Sequence, residues 1–265
     1  MSALSERVFR VVTVVYLGAV FLYLVAPILV SASISVTPER FLVFPPGGFS
    51  LRWYRKYLAD PTWQEAIGNT VVVGILCAVI ATVIGSLSAY GISRIERARW
   101  RDLAFVLFLI PLVVPYMTLA MALYPVYARA GLIGTRLGVA LAQAVVALPY
   151  VVLAVTASMR RRDRILEAAA RTLGASPVRA FAYVVLPLAW PGIAAGAVLA
   201  FMTSFDDVIM PLFLGGIGAG TVPKVMLDSL YTISDPSVMA VSASISAVGL
   251  VLLVVTLTLR GRGPA

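Results

Sequence analysis

Six stretches of the chain are apolar for long enough to cross a bilayer, and the polar residues collect between them. A spanning helix needs roughly 20 mostly apolar residues. About Val8–Val36, Ile67–Ser93, Leu103–Tyr127, Leu137–Met159, Tyr183–Phe213 and Val238–Leu259 meet that length. The pattern predicts an all-α, polytopic membrane protein of six transmembrane helices, built as a single transmembrane domain over residues 1–265. The first stretch far exceeds the apolar core of a cleavable signal peptide, about 7–15 residues, and so reads as a retained span.

Three connections carry information. About Thr37–Ala66 contains Pro45-Pro46-Gly47-Gly48 and then Ser50-Leu51-Arg52-Trp53-Tyr54. Aromatic residues beside Arg and Lys predict a helix resting at the membrane interface. About Leu214–Ser237 is Gly-rich at first and ends on Asp235-Pro236. The third, about 160–182, is ordered by its composition. Arg164–Leu173 is rich in strong helix formers, and Gly174 is the residue type found just past a helix end. Ser176-Pro177 can then cap and open a second helix. The prediction is two short helices joined by a sharp bend, lying across the membrane surface.

Composition agrees with a bilayer as solvent: 61% of residues are hydrophobic and 12% are charged. The net charge of +9 would suggest a nucleic-acid partner in a soluble protein. Its distribution says otherwise. With the N-terminus inside, 14 of the 21 Lys and Arg residues fall in inside segments. This bias orients the chain with both termini cytoplasmic and excludes nucleic acid as the reason for the charge. There is no histidine, and Cys77 is the only cysteine. No catalytic or metal-binding constellation results. A phosphate-binding P-loop needs Gly before its Lys, whereas Lys56 and Lys224 follow Arg55 and Pro223. The chain is therefore expected to be no ATPase.

The 160–182 connection resembles the EAA loop of ABC importer permeases, the binding-protein-dependent family. The matching residues are Glu167-Ala168-Ala169, Gly174 seven positions later, and Leu186-Pro187 beyond it, with Val184 where the family usually has Ile. Ser50–Tyr54, Asn69-Thr70 and Pro191-Gly192-Ile193 extend the resemblance over nearly the whole chain. It implies the type I ABC importer permease fold, in a bacterial or archaeal plasma (inner) membrane. Glu167, Ala168, Ala169, Gly174, Ala175 and Pro187 would couple the permease to a cytoplasmic ATPase. The implied partners are a second permease subunit (a homologue, or alternatively an identical copy), two ATPase copies, an extracytoplasmic solute-binding protein and membrane lipid. The permease chain itself would need no cofactor; ATP and Mg would be used by the ATPase.

The fifth stretch contains Ser204-Phe205-Asp206-Asp207. Counted from Leu188 at 1.5 Å per residue, Asp206 stands about 27 Å up, in the outer half of the membrane. Charged groups there face a cavity or a partner. Neighbouring helical residues point about 100° apart, so the two carboxylates cannot both face one pore. One reading gives them a solute pathway, with Ser204 and Phe205. The other makes them a cap at a helix break before Pro211. The stretch resembles the spermidine/putrescine-type branch, which implies a polyamine as solute; phosphonate, opine, thiamine and sugar permeases are the alternatives, and a secondary transporter is a further one. Gly192, Gly196 and Ala200 recur every fourth residue, as do Gly74 and Ala78, then Gly85 and Ala89. Such faces allow close helix packing, either within this subunit or against a second one.

Overall fold

In a computed structural model the backbone is described for residues 3–159, 161–232 and 236–260, and the side chains for residues 9–159, 165–231 and 236–251. Arg160 at the start of the third connection, Asp235, and Arg262, one of the inside basic residues, lie outside the described residues. Among those described, every regular element is helical. Four helices are long and apolar enough to cross a membrane, and a bent pair makes a fifth if it counts as one span.

The helices are α1 (Ala3–Ser35), α2 (Arg52–Ala59), α3 (Pro61–Arg94), α4 (Ala98–Leu109), α5 (Tyr116–Arg129) and α6 (Arg136–Ser158), followed by α7 (Arg161–Thr172), α8 (Pro177–Ala180), α9 (Leu186–Phe205), α10 (Ile209–Leu214), α11 (Val222–Thr232) and α12 (Ser237–Arg260). They form two compact units, Met1–Gln64 with Met226–Ala265, and Glu65–Val225.

In the first unit, α12 lies against α1, and Ser31 Oγ reaches Ser242 Oγ at 3.4 Å. Over Phe9–Ser35, α1 turns apolar side chains outward almost throughout, as a helix solvated by lipid does. The predicted interfacial helix exists as α2, but two of its aromatics point inward. Trp53 is buried and donates from Nε1 to Thr37 O at 3.0 Å. Tyr57 is buried against α12, its hydroxyl 2.8 Å from Ser244 Oγ. The basic residues stay on the aromatic face: the Arg52 guanidinium sits 4.3 Å from the Trp53 ring centre.

The second unit is built on α6, whose buried residues from Gly138 to Val155 make it the core helix. Helix α9 packs along it. The face formed by Gly192, Gly196, Ala200 and Ser204 is buried. A Cβ at Gly196 would stand 3.2 Å from Val151 Cα, and one at Gly192 would stand 2.7 Å from Ala154 O. On α3, Gly85 meets Val151 and Gly74 meets the Phe201 ring. Of the two readings of the small residues, packing inside this subunit is the one these contacts realise.

Two predicted spans are interrupted. Leu103–Tyr127 is not one helix: α4 runs through a 3-10 turn at Ile110–Leu112, and the chain then turns 95° into α5. Pro111 and Pro115 are the physical reason. Each lacks an N–H, and the helix is given up at Pro115, whose ψ of 132° starts α5 in a new direction. In Tyr183–Phe213, α9 stops at Phe205 and α10 restarts at Ile209.

Candidate functional site

Helix α7 ends as its sequence predicts. Gly174 takes φ +92°, the left-handed conformation open to glycine. Its N–H donates to Arg171 O, and the Ala175 N–H donates to Ala170 O, both at 3.0 Å. This pair of bonds is the Schellman closure of a helix. Ser176 Oγ then accepts from the Arg179 N–H at 3.3 Å and opens α8 at Pro177. The bend therefore has a fixed geometry, set by two capping devices within five residues.

What the bend presents is apolar. Leu173 is 88% exposed and Val178 76% exposed, and Ile165, Ala168 and Ala169 are exposed beside them. Ala175 is half-buried, and Pro187 lies exposed at the start of α9. Glu167 behaves differently: it is only 3% exposed and points away from this surface. Its carboxylate pairs with the Arg94 guanidinium at the end of α3. The Tyr90 hydroxyl donates to Glu167 Oε1 at 3.1 Å. Arg94 also lies over the Tyr90 ring, 4.7 Å from its centre, and Phe181 meets that ring edge-on at 4.7 Å. Sequence reasoning missed this role for Tyr90 and Arg94. The signal was an arginine one residue past an apolar span, which had counted only as topological charge.

At the other end of α9 the acidic pair divides. Asp206 is exposed. Asp207 is buried and caps the next helix: Oδ1 accepts from the Ile209 N–H at 2.9 Å, and Oδ2 from the Met210 N–H at 3.2 Å. Gln143 of α6 donates from Nε2 to Asp207 Oδ2 at 2.9 Å and to Ser204 O at 3.3 Å, while Ser204 Oγ donates to Gln143 Oε1. Ser204 is thus buried in this network, and Phe205, half-buried, stacks with Phe201 at 5.8 Å. Gln143, a lone amide in an apolar span, is the partner that sequence reasoning missed. Further stitching holds the Gly-rich segment after α10: Asn69 Nδ2 donates to Gly220 O at 3.0 Å, and Arg136 Nε donates to Asn69 Oδ1 at 2.6 Å.

A bent helix pair with exposed apolar side chains precedes α9, and comparison with known proteins places the chain. Residues 81–261 match the family described as binding-protein-dependent transport system inner membrane component. The chain belongs to that family. It is a multi-pass inner-membrane protein and a permease of the ABC importer class. It is 31% identical over 247 residues to the putrescine transport system permease protein PotI of Escherichia coli strain K12, covering 91% of this chain and 87% of PotI. It is 27% identical over 241 residues to the spermidine/putrescine transport system permease protein PotC of Haemophilus influenzae, covering 91% and 93%. A bacterial ABC transporter that imports the acidic polysaccharide alginate shares the fold, with TM-score 0.72 over 99% of both chains at 18% identity.

Proposed function

We propose that this permease forms one half of the translocation pathway of an importer whose solute is a polyamine of the putrescine and spermidine kind. ATP is hydrolysed with Mg on a separate cytoplasmic ATPase chain, present in two copies, and this chain carries no cofactor. The observation that carries the coupling half of this reading is the rigid bend at Gly174, with Leu173 and Val178 bare on its outer side. An apolar surface this exposed, on an otherwise polar helix pair, needs a partner, and an ATPase groove supplies one. A homologous second permease completes the pathway, and an external binding protein delivers the solute.

The bent pair α4–α5 counts as the third span and α12 as the sixth. The basic residues then put both termini and the α7–α8 element on the cytoplasmic side. Residues 1–265 form one membrane domain in this reading.

For the solute, Asp206 is the supporting residue. It is an exposed carboxylate at the end of an apolar helix, where a fixed negative charge favours a cation. The names of PotI and PotC support the same choice. The test is ATP-driven uptake of labelled putrescine into proteoliposomes that hold the whole transporter and its binding protein. Asp206→Asn is expected to depress uptake with the melting temperature unchanged. Uptake indifferent to Asp206→Asn, or a transporter that ignores polyamines in favour of a phosphonate, opine, thiamine or sugar, overturns the assignment.

A further inference from the structure

Glu167 is a carboxylate buried in a helix whose neighbouring side chains, Leu166 and Ala168, are exposed. Burying a charge is costly unless a partner and hydrogen bonds compensate it. Here Arg94 supplies the charge and Tyr90 the hydrogen bond, both from the last turn and a half of α3. The contact is directional in a way that apolar packing is not.

The α7–α8 element is already joined to α9 through the chain. From Pro177 to Phe205 the helix is continuous, passing a π-helical turn at Phe181–Val185. Such turns often mark places where a helix adjusts. Phe181, the first residue of this turn, packs on Tyr90. Helices α3 and α9 meet again farther along, where Gly74 faces the Phe201 ring and Cys77 Sγ lies 3.8 Å from Ala200 O. So α3, α9 and the bent pair close a frame, fastened at both ends.

We propose that Glu167, Arg94 and Tyr90 form a lateral tie that makes α3 move with the α7–α8 element, so that a push on the bend drives two membrane helices, α9 through the chain and α3 through the tie. Arg94 and Tyr90 are then positioning residues of the transport cycle. This inference rests on the coupling reading of α7–α8 given above.

The test uses the assembled transporter in lipid nanodiscs, with spin labels at Leu173 on the bend and Val83 on the exposed face of α3. The distance between them is measured before and after trapping with ATP and vanadate. A tied element and helix move together, so the distance is expected to stay constant in the parent protein. Arg94→Ala, and Arg94→Ala with Tyr90→Phe, should let it change by several ångströms on trapping. The charge-swapped pair Arg94→Glu with Glu167→Arg should make it constant again, and that rescue separates a lost tie from a misfolded protein. A distance that changes in the parent, or stays constant in every untied variant, overturns the tie. A label at Leu173 whose mobility ignores the ATPase overturns the coupling reading itself, and the tie with it.

Discussion

Gln143 of α6 and Asp207, in the break between α9 and α10, are joined by a 2.9 Å hydrogen bond inside the second unit. The bond ties the core helix to the point where the fifth apolar stretch is interrupted. It also explains how a carboxylate is tolerated there. Asp207 receives two backbone N–H groups and an amide, so three donors surround it.

That environment gives Asp207 a capping role. Asp207→Asn retains an oxygen for capping, since Asn caps about as well as Asp. It turns an amide N–H₂ toward Gln143, and the cost should be about 1 kcal/mol. Asp207→Ala removes the cap and leaves Gln143 only its Ser204 partners, at a cost of about 2–3 kcal/mol. Thermal melting of the purified variants checks the order. Equal melting temperatures for the two variants would contradict it.

Gly174 is constrained by its backbone. Nothing lies within 4 Å of where a Cβ would stand, so space is free, but φ is +92°. A β-branched residue is strained there by about 1–3 kcal/mol. Gly174→Val should open the Schellman closure and leave ATP hydrolysis running with little uptake. Gly174→Asn, which tolerates this conformation better, should retain most of the coupling. The ratio of solute moved to ATP hydrolysed is the measurement.

Gly192 is constrained by its neighbours. A Cβ there meets the Ser158 side chain and the Ala154 carbonyl oxygen of α6. Because a carbonyl in a helix cannot step aside, Gly192→Leu should force α9 off α6, costing more than the about 1–3 kcal/mol of ordinary overpacking. A sharp fall in the melting temperature and in the yield of intact protein is expected. Gly18, on α1 with nothing within 4 Å, should accept leucine without such a loss.

The sequence already held the helices and the bend. Apolar run length marked the four helices long enough to cross a membrane, and glycine, serine and proline at the right offsets marked the α7–α8 closure. Those signals are local, so they survive without knowledge of the fold. The break after Phe205 was visible as one of two readings, because an acidic pair before a proline fits either a cap or a pathway. Which carboxylate turned inward depended on Gln143, some 60 residues away in sequence. The same limit applied to Glu167. Its inward turn is decided by Arg94 and Tyr90 on another helix. The right-angled turn at Leu109–Tyr116 had local signals in Pro111 and Pro115, yet apolar length alone read through them.

The claim on which the rest depends is that the outer side of the α7–α8 bend rests on the ATPase. A photo-cross-linking amino acid placed at Leu173, and separately at Val178, in the transport-active complex tests it directly. The account predicts adducts to the ATPase subunit from both positions and none from Val113, which is exposed in the turn between α4 and α5. An active transporter in which neither Leu173 nor Val178 reaches the ATPase would contradict it.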